Sequence, residues 1–180
     1  MGKILVAYFS HSGNTKKIAE KISLVTGGDL FEIRAVNKYP EEYSKCTEVA
    51  RKELMENIKP QLAETFNSIN DYDIIFLGYP IWWGTMPMPV FTFLERCKFD
   101  GKTIMPFCTH GGGGSGKSSD DIKKLCPRAE VMECLQIKGT ELARADEMIR
   151  PYFQRRKTVF TLDSRLIPTV AVLATTTTGS

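Results

Sequence analysis

Hydroxyl, amide and glycine residues are concentrated in Ser10-His11-Ser12-Gly13-Asn14-Thr15. An apolar segment, Lys3–Phe9, runs into this loop and a helix-like segment leaves it. Backbone N–H groups, three hydroxyls and one amide at the positive end of a helix dipole make a site for a dianionic phosphate. The same residues have a simpler use, in which Ser12 or Asn14 caps the helix. The loop contains neither Lys nor Arg, so a ligand there is held by hydroxyls and N–H groups. Lys16 and Lys17 follow it and are expected to reach solvent.

Two further stretches carry unusual chemistry. Pro80-Ile81-Trp82-Trp83-Gly84 holds both tryptophans of the chain side by side in a loop. One loop tryptophan is ordinarily packing over a sheet edge; two adjacent ones suggest a stacking wall for a flat ring. Gly84 lets the backbone approach that ring or change conformation. The third stretch is Thr109-His110-Gly111-Gly112-Gly113-Gly114-Ser115-Gly116. Coming straight after an apolar strand, it predicts close backbone approach to a ligand rather than mere flexibility.

The same glycine tract continues into Lys117-Ser118, so Gly111 to Ser118 matches the pattern G-x-x-x-x-G-K-[ST] of a triphosphate-binding loop. Such sites need a strand-terminal Asp for Mg²⁺. The strand before the tryptophans ends Leu77-Gly78-Tyr79-Pro80, and no other expected strand ends in a carboxylate. Triphosphate binding therefore ranks below the other readings. His11 and His110 are the two histidines, and a metal would need a third ligand that is not evident. His110 could transfer a proton; a backbone or packing role is the plainer expectation for both histidines. Cys46, Cys97, Cys108, Cys126 and Cys134 are scattered without a CxxC and read as free thiols of a reducing, cytoplasmic compartment.

The elements that must position these loops follow from periodicity. Lys3–Phe9, Asp29–Ile33, Asp73–Tyr79, Thr103–Thr109 and Ala129–Ile137 read as strands. Helices are expected over Asn14–Val25, stopped by Gly27-Gly28, then Lys45–Ile58, Pro87–Cys97, Ser118–Cys126 and Thr140–Phe153, with Pro151 kinking the last or ending it early. In the second helix Val49, Ala50, Leu54 and Ile58 are the expected inward face. Strict alternation predicts a doubly wound α/β domain with a five-stranded parallel sheet in the order 2-1-3-4-5. Ligands of such sheets bind beyond the carboxyl ends of the strands, where the order reverses. The loops after strands one, three and four converge there, and they are the three stretches singled out above.

Composition narrows the classes. The chain has 180 residues, 42% hydrophobic and 25% charged, as expected for a globular protein. Its net charge of +3 resides after residue 154; residues 1–154 carry acidic and basic side chains in equal number. No basic footprint for nucleic acid results. No segment approaches the roughly 18 apolar residues of a membrane span, and the opening resembles no secretory leader. The expected organisation is one domain over residues 1–155 and a tail over 156–180, strand-like in places, with no assigned role.

These motifs resemble the flavodoxin family of FMN-binding electron carriers. Ser10-His11-Ser12-Gly13-Asn14-Thr15 is similar to the family's phosphate loop, and the Pro80–Gly84 and Thr109 loops fall where its ring-binding loops fall. The resemblance implies that Ser10, Ser12, Asn14 and Thr15, with the backbone of His11 and Gly13, hold the FMN phosphate. It implies that Pro80, Ile81, Trp82, Trp83 and Gly84, with Thr109, His110, Gly111, Gly112 and Gly113, flank the isoalloxazine. An electron carrier serving redox partner proteins or a small-molecule acceptor is the first expectation. The alternative is an NAD(P)H-dependent quinone or flavin reductase on the same fold, whose relatives tend to have a Pro-Thr-Arg-Phe-Gly loop that only Pro80 and Gly84 match. The chain departs from typical carriers, which are strongly acidic, in its neutral body and its added tail.

Overall fold

A computed structural model describes residues 2–64, 66 and 69–155; the tail expected over 156–180 lies outside the described residues. Strands β1 (Lys3–Tyr8), β2 (Asp29–Glu32), β3 (Tyr72–Pro80), β4 (Thr103–His110), β5 (Glu130–Val131) and β6 (Leu135–Lys138) alternate with helices α1 (Asn14–Thr26), α2 (Tyr43–Met55), α3 (Met88–Arg96), α4 (Ser118–Leu125) and α5 (Ala145–Gln154). All pairings are parallel, in the order β2-β1-β3-β4-β5, with β6 also on β4. This is the doubly wound order expected from the sequence.

The near-continuous apolar runs of β1, β3 and β4 are explained by burial on both faces. Leu5, Leu77 and Ile104 face one core with Val90 and Phe93 of α3; Val6, Phe76 and Met105 face the other with Ile18 of α1 and Ile149 of α5. Gly78 is fixed by this packing, because it pairs with Phe107 across β3 and β4 and lies under that ring.

The fifth expected strand is broken in two. Two residues, Met105 and Pro106, separate the paired Ile104 and Phe107, whereas Met132, Glu133 and Cys134 separate their partners Val131 and Leu135. One residue is thus left over, a bulge. The break falls opposite Pro106, which has no N–H to offer a neighbouring strand. The Glu133 carbonyl at the bulge accepts the Tyr152 hydroxyl at 2.9 Å, which ties α5 to this edge.

Helix ends show why some expected boundaries shift. Gly27 ends α1 in the left-handed region, its N–H donating to the Ser23 carbonyl at 2.8 Å, as expected. The second helix stops earlier than Ile58 because Asn57 adopts φ 52. Its N–H bonds the Leu54 carbonyl while the Ile58 N–H bonds that of Glu53, a pattern that closes a helix. The inward residues of α2 are Cys46 and Ala50, not the expected Val49 and Ile58, which are exposed. The segment expected to open the last helix is a 3₁₀ turn, Gly139–Arg144, and α5 runs three residues past Pro151 instead of ending there.

Candidate functional site

The carboxyl ends of β1, β3 and β4 meet at one edge of the sheet. The Phe9 N–H donates to the Gly78 carbonyl at 2.9 Å and the Ile81 N–H to the Thr109 carbonyl at 2.9 Å, so the three following loops are tied together where they begin. Between them and α2 lies a cleft of about 940 Å³, within the range of small-molecule sites.

At one end of the cleft stand Ser12 and Thr15. Gly13, at φ 88, is the N-cap residue of α1 and has no side chain with which to cap it. The capping role open to Ser12 and Asn14 is taken by neither. Ser10 Oγ takes it instead, accepting the N–H of Lys16 in the first turn of α1 at 3.2 Å. Thr15 is only 1% exposed, and its hydroxyl meets that of Thr109 at 2.8 Å, joining the first loop to the third. The positive end of the α1 dipole and the two hydroxyls, with no lysine or arginine in the loop, form an end suited to an anion.

Ile81, Trp82 and Trp83 make the middle wall. The Trp82 ring sits edge-on to Phe9, His11 and Tyr39, with centroids 5.4, 5.7 and 5.1 Å away. Trp83 and Gly84 form the centre of a two-residue turn: Trp82 and Thr85 exchange N–H···O bonds of 2.8 and 3.2 Å. The positive φ values at both centres, 51 and 78, are those of a type I′ turn. Trp83, 50% exposed, donates its indole N–H to the Thr47 carbonyl of α2 at 3.1 Å, and the Arg51 guanidinium lies 5.3 Å from its ring centre.

The opposite wall was not found from sequence: Glu41 and Tyr43, Cys46, Thr47 and Ala50 of α2. Their spacing at three- and four-residue steps was the available signal. Burial, with a smaller effect of Glu53, pushes the Cys46 thiol up, so it faces the cleft neutral rather than as a nucleophile.

Of the expected site residues, His11, Ser12, Thr15, Pro80, Ile81, Trp82, Trp83 and Gly111 line the cleft, and Thr109 meets it through Thr15. Ser10, Gly13 and Asn14 shape the helix start behind it. His110, Gly84, Gly112 and Gly113 are not in its lining. Nδ1 of His110 accepts the N–H groups of Gly112 and Gly114 at 3.1 and 3.2 Å, so the histidine folds the glycine tract onto itself.

That tract is not a phosphate cradle. The Ser115 N–H donates to Gln136, the Lys117 N–H to the Gly84 carbonyl and the Ser118 N–H to the Ser115 carbonyl. The Ser118 hydroxyl is buried, donates to the Ser115 carbonyl at 2.7 Å and accepts the Tyr79 hydroxyl at 3.1 Å. The N–H groups of Gly112, Gly114, Ser115, Lys117 and Ser118, and the hydroxyl that would reach Mg²⁺, are thus engaged within the protein. Among the described residues no group of side chains could hold a metal ion, all five cysteines are free, and no helix is long and apolar enough to cross a membrane.

Behind Trp82, the Tyr39 hydroxyl donates to Glu53 at 2.5 Å. Burial raises the Glu53 carboxyl above its ordinary 4.5, and the Tyr39 hydrogen bond opposes the rise. A carboxyl raised on folding stabilises the fold below its unfolded value and gives that up as pH rises through the folded value. Ionised Glu53 therefore costs stability at neutral pH. Glu53→Gln, which keeps an acceptor for Tyr39, is expected to raise the Tm at neutral pH and to lose that advantage below the ordinary glutamate range. Thermal melts at the two pH values check this; an equal gain at both would rule out ionisation as the cause.

A family model described as Flavodoxin matches residues 3–151. A candidate flavoprotein from Bacteroides eggerthii is 32% identical, with TM-score 0.70 over 83% of this chain and 99% of its own. Another from Bacteroides uniformis is 28% identical, with TM-score 0.72 over 83% of this chain and 98% of its own. A flavoprotein from Lactobacillus acidophilus, solved in complex with FMN, is 25% identical, with TM-score 0.66 over 80% of this chain and 98% of its own.

Proposed function

This chain belongs to the flavodoxin family, and from that premise we propose that it is an FMN-dependent electron carrier, with the cofactor seated in the cleft between α2 and the loops after β1, β3 and β4. The observation that carries this reading is the juxtaposition, in one cleft, of Ser12 and Thr15 at the start of α1 with the Trp82–Trp83 wall. The donor set fits FMN. A phosphate suits the hydroxyl end, which holds no lysine or arginine, and a flat ring suits the aromatic wall. A nucleoside triphosphate would need the metal and lysine that this end lacks.

FMN supplies one- and two-electron chemistry when bound. The protein's contribution is binding and electrostatics. Ser12 and Thr15 would donate to the phosphate, with Thr109 holding the Thr15 hydroxyl in register. Trp82, fixed by its three aromatic neighbours, orients the ring. The Trp82, Ile81 and Cys46 surfaces are uncharged and would shield a bound ring from water, which would oppose accumulation of negative charge on it. No residue is assigned a catalytic role.

The equal number of acidic and basic side chains over residues 1–154 favours a second reading, a reductase that takes electrons directly from NAD(P)H and passes them to a quinone or flavin. That balance departs from the acidic excess expected of a carrier that docks to basic redox proteins. Purified protein is expected to be yellow, to release FMN on heating, and to leave NADPH unoxidised with quinone until a reductase is added. Steady NADPH oxidation by the protein alone would replace the carrier by the reductase; protein that takes up no FMN would remove both.

A further inference from the structure

The tract Gly111 to Ser118 matches a phosphate-binding pattern, yet the N–H groups of Ser115, Lys117 and Ser118 are committed within the protein. We infer that Gly116 to Asp121 is a positioning clamp, which fixes the Trp82–Thr85 turn and thereby the orientation of both tryptophans toward the flavin ring. The inference rests on the reading that these tryptophans line the flavin site.

The turn needs holding. Trp83 occupies the left-handed region at φ 51, where a bulky side chain is unfavourable. Its indole is tied to α2 through Thr47, and the other end of the turn is tied to α4. Thr85 is fully buried, and its hydroxyl donates to the Asp121 carboxylate at 2.6 Å. The Lys117 N–H donates to the Gly84 carbonyl at 2.9 Å, which turns that carbonyl to α4. Gly116, itself at φ +53, comes so near that a Cβ there would lie 2.1 Å from the Gly84 oxygen. Only glycine admits this approach. The clamp is anchored in turn on β3, the strand from which the turn departs, through Tyr79 and the buried Ser118 hydroxyl.

The last three positions of the pattern thus each have a use that involves no phosphate. Gly116 permits the contact, Lys117 contributes its backbone N–H, and Ser118 anchors the helix start. The Asp121 carboxylate sits one turn further along α4, where the helix start also favours negative charge.

The test replaces Thr85→Val, which keeps the shape and removes the donor, with Thr85→Ser as the restoring variant. In FMN-free protein, the two indole N–H resonances are expected to move and the Trp83 indole proton to exchange faster in the valine variant. The serine variant returns both to the wild-type pattern. With FMN added, the ratio of affinities for the oxidised and reduced cofactor changes by roughly threefold to tenfold in the valine variant and is restored by serine. Should the valine variant not fold, Asp121→Ala removes the same bond from the outer side of the pair, with Asp121→Asn as its acceptor-retaining control. Unchanged indole resonances overturn the clamp and leave the flavin site standing. Indole changes without any change in the affinity ratio overturn the inference from the other side, because the turn then does not face the flavin.

Discussion

Gly78→Ala destabilises the protein by about 1–3 kcal/mol, the cost of overpacking a filled core, although a glycine-to-alanine change inside a strand ordinarily gains about 0.5–1 kcal/mol. The added methyl would lie 2.1 Å from Cζ of Phe107 and 2.4 Å from its Cε2. Neither partner can step aside cheaply. The two residues are opposed in the β3–β4 register, and Phe107 is only 1% exposed, packed among the side chains shared with α1 and α5. Urea denaturation measures the loss. Phe107→Leu in the same background, which opens space above the methyl, recovers part of it; Phe107→Leu alone costs stability by leaving a void. The same carbonyl that receives the Phe9 N–H belongs to Gly78, so the distortion reaches the first loop and FMN binding weakens with it. A Gly78→Ala protein as stable as wild type would show that the ring is free to swing away.

Replacing Ser12→Ala together with Thr15→Ala lowers FMN affinity by about 10- to 100-fold, as expected when hydrogen bonds to a charged group worth about 1.5–3 kcal/mol each are partly compensated by water. The two hydroxyls stand at the start of α1, and Thr15 is the less replaceable because its oxygen also meets Thr109. The fold persists, since Ser12 is exposed and the Thr15 site loses one hydrogen bond and no backbone contact. Fluorescence titration with FMN and with riboflavin separates the causes. Phosphate-directed hydroxyls predict a large loss for FMN and little change for riboflavin. Equal loss for both would move the phosphate away from this loop.

Much of this architecture was legible because local and global signals agree. The apolar runs of β1 and β3, the helical face of α1 and the glycine that ends it are properties of short windows, and the alternation of elements leaves few topologies. The convergence of the three loops followed from strand order alone. What was hidden depends on partners distant in sequence. The bulge at Met132–Cys134 is set by a proline in the neighbouring strand. The α2 wall turns Cys46 and Ala50 inward because the helix borders a cleft rather than covering the sheet with its most apolar face. The Trp83–Gly84 turn was visible as a loop, but its left-handed geometry is maintained by Thr47 and by α4. The phosphate-like pattern at Gly116–Ser118 was correct in composition and misleading in chemistry, since its glycine serves a contact with another backbone.

The break between β5 and β6 also bears on how this molecule avoids its own kind. A parallel sheet ends in two rows of backbone groups that could template a further strand from another copy and start aggregation. Here one border strand, β2, has four residues, and the other border is divided into pieces of two and four by the extra residue opposite Pro106. Among the described residues, neither margin offers the long, flat, regular template that intermolecular strand addition requires. An irregularity that looks like a defect in the ladder thus shortens the regular edge that another strand could extend.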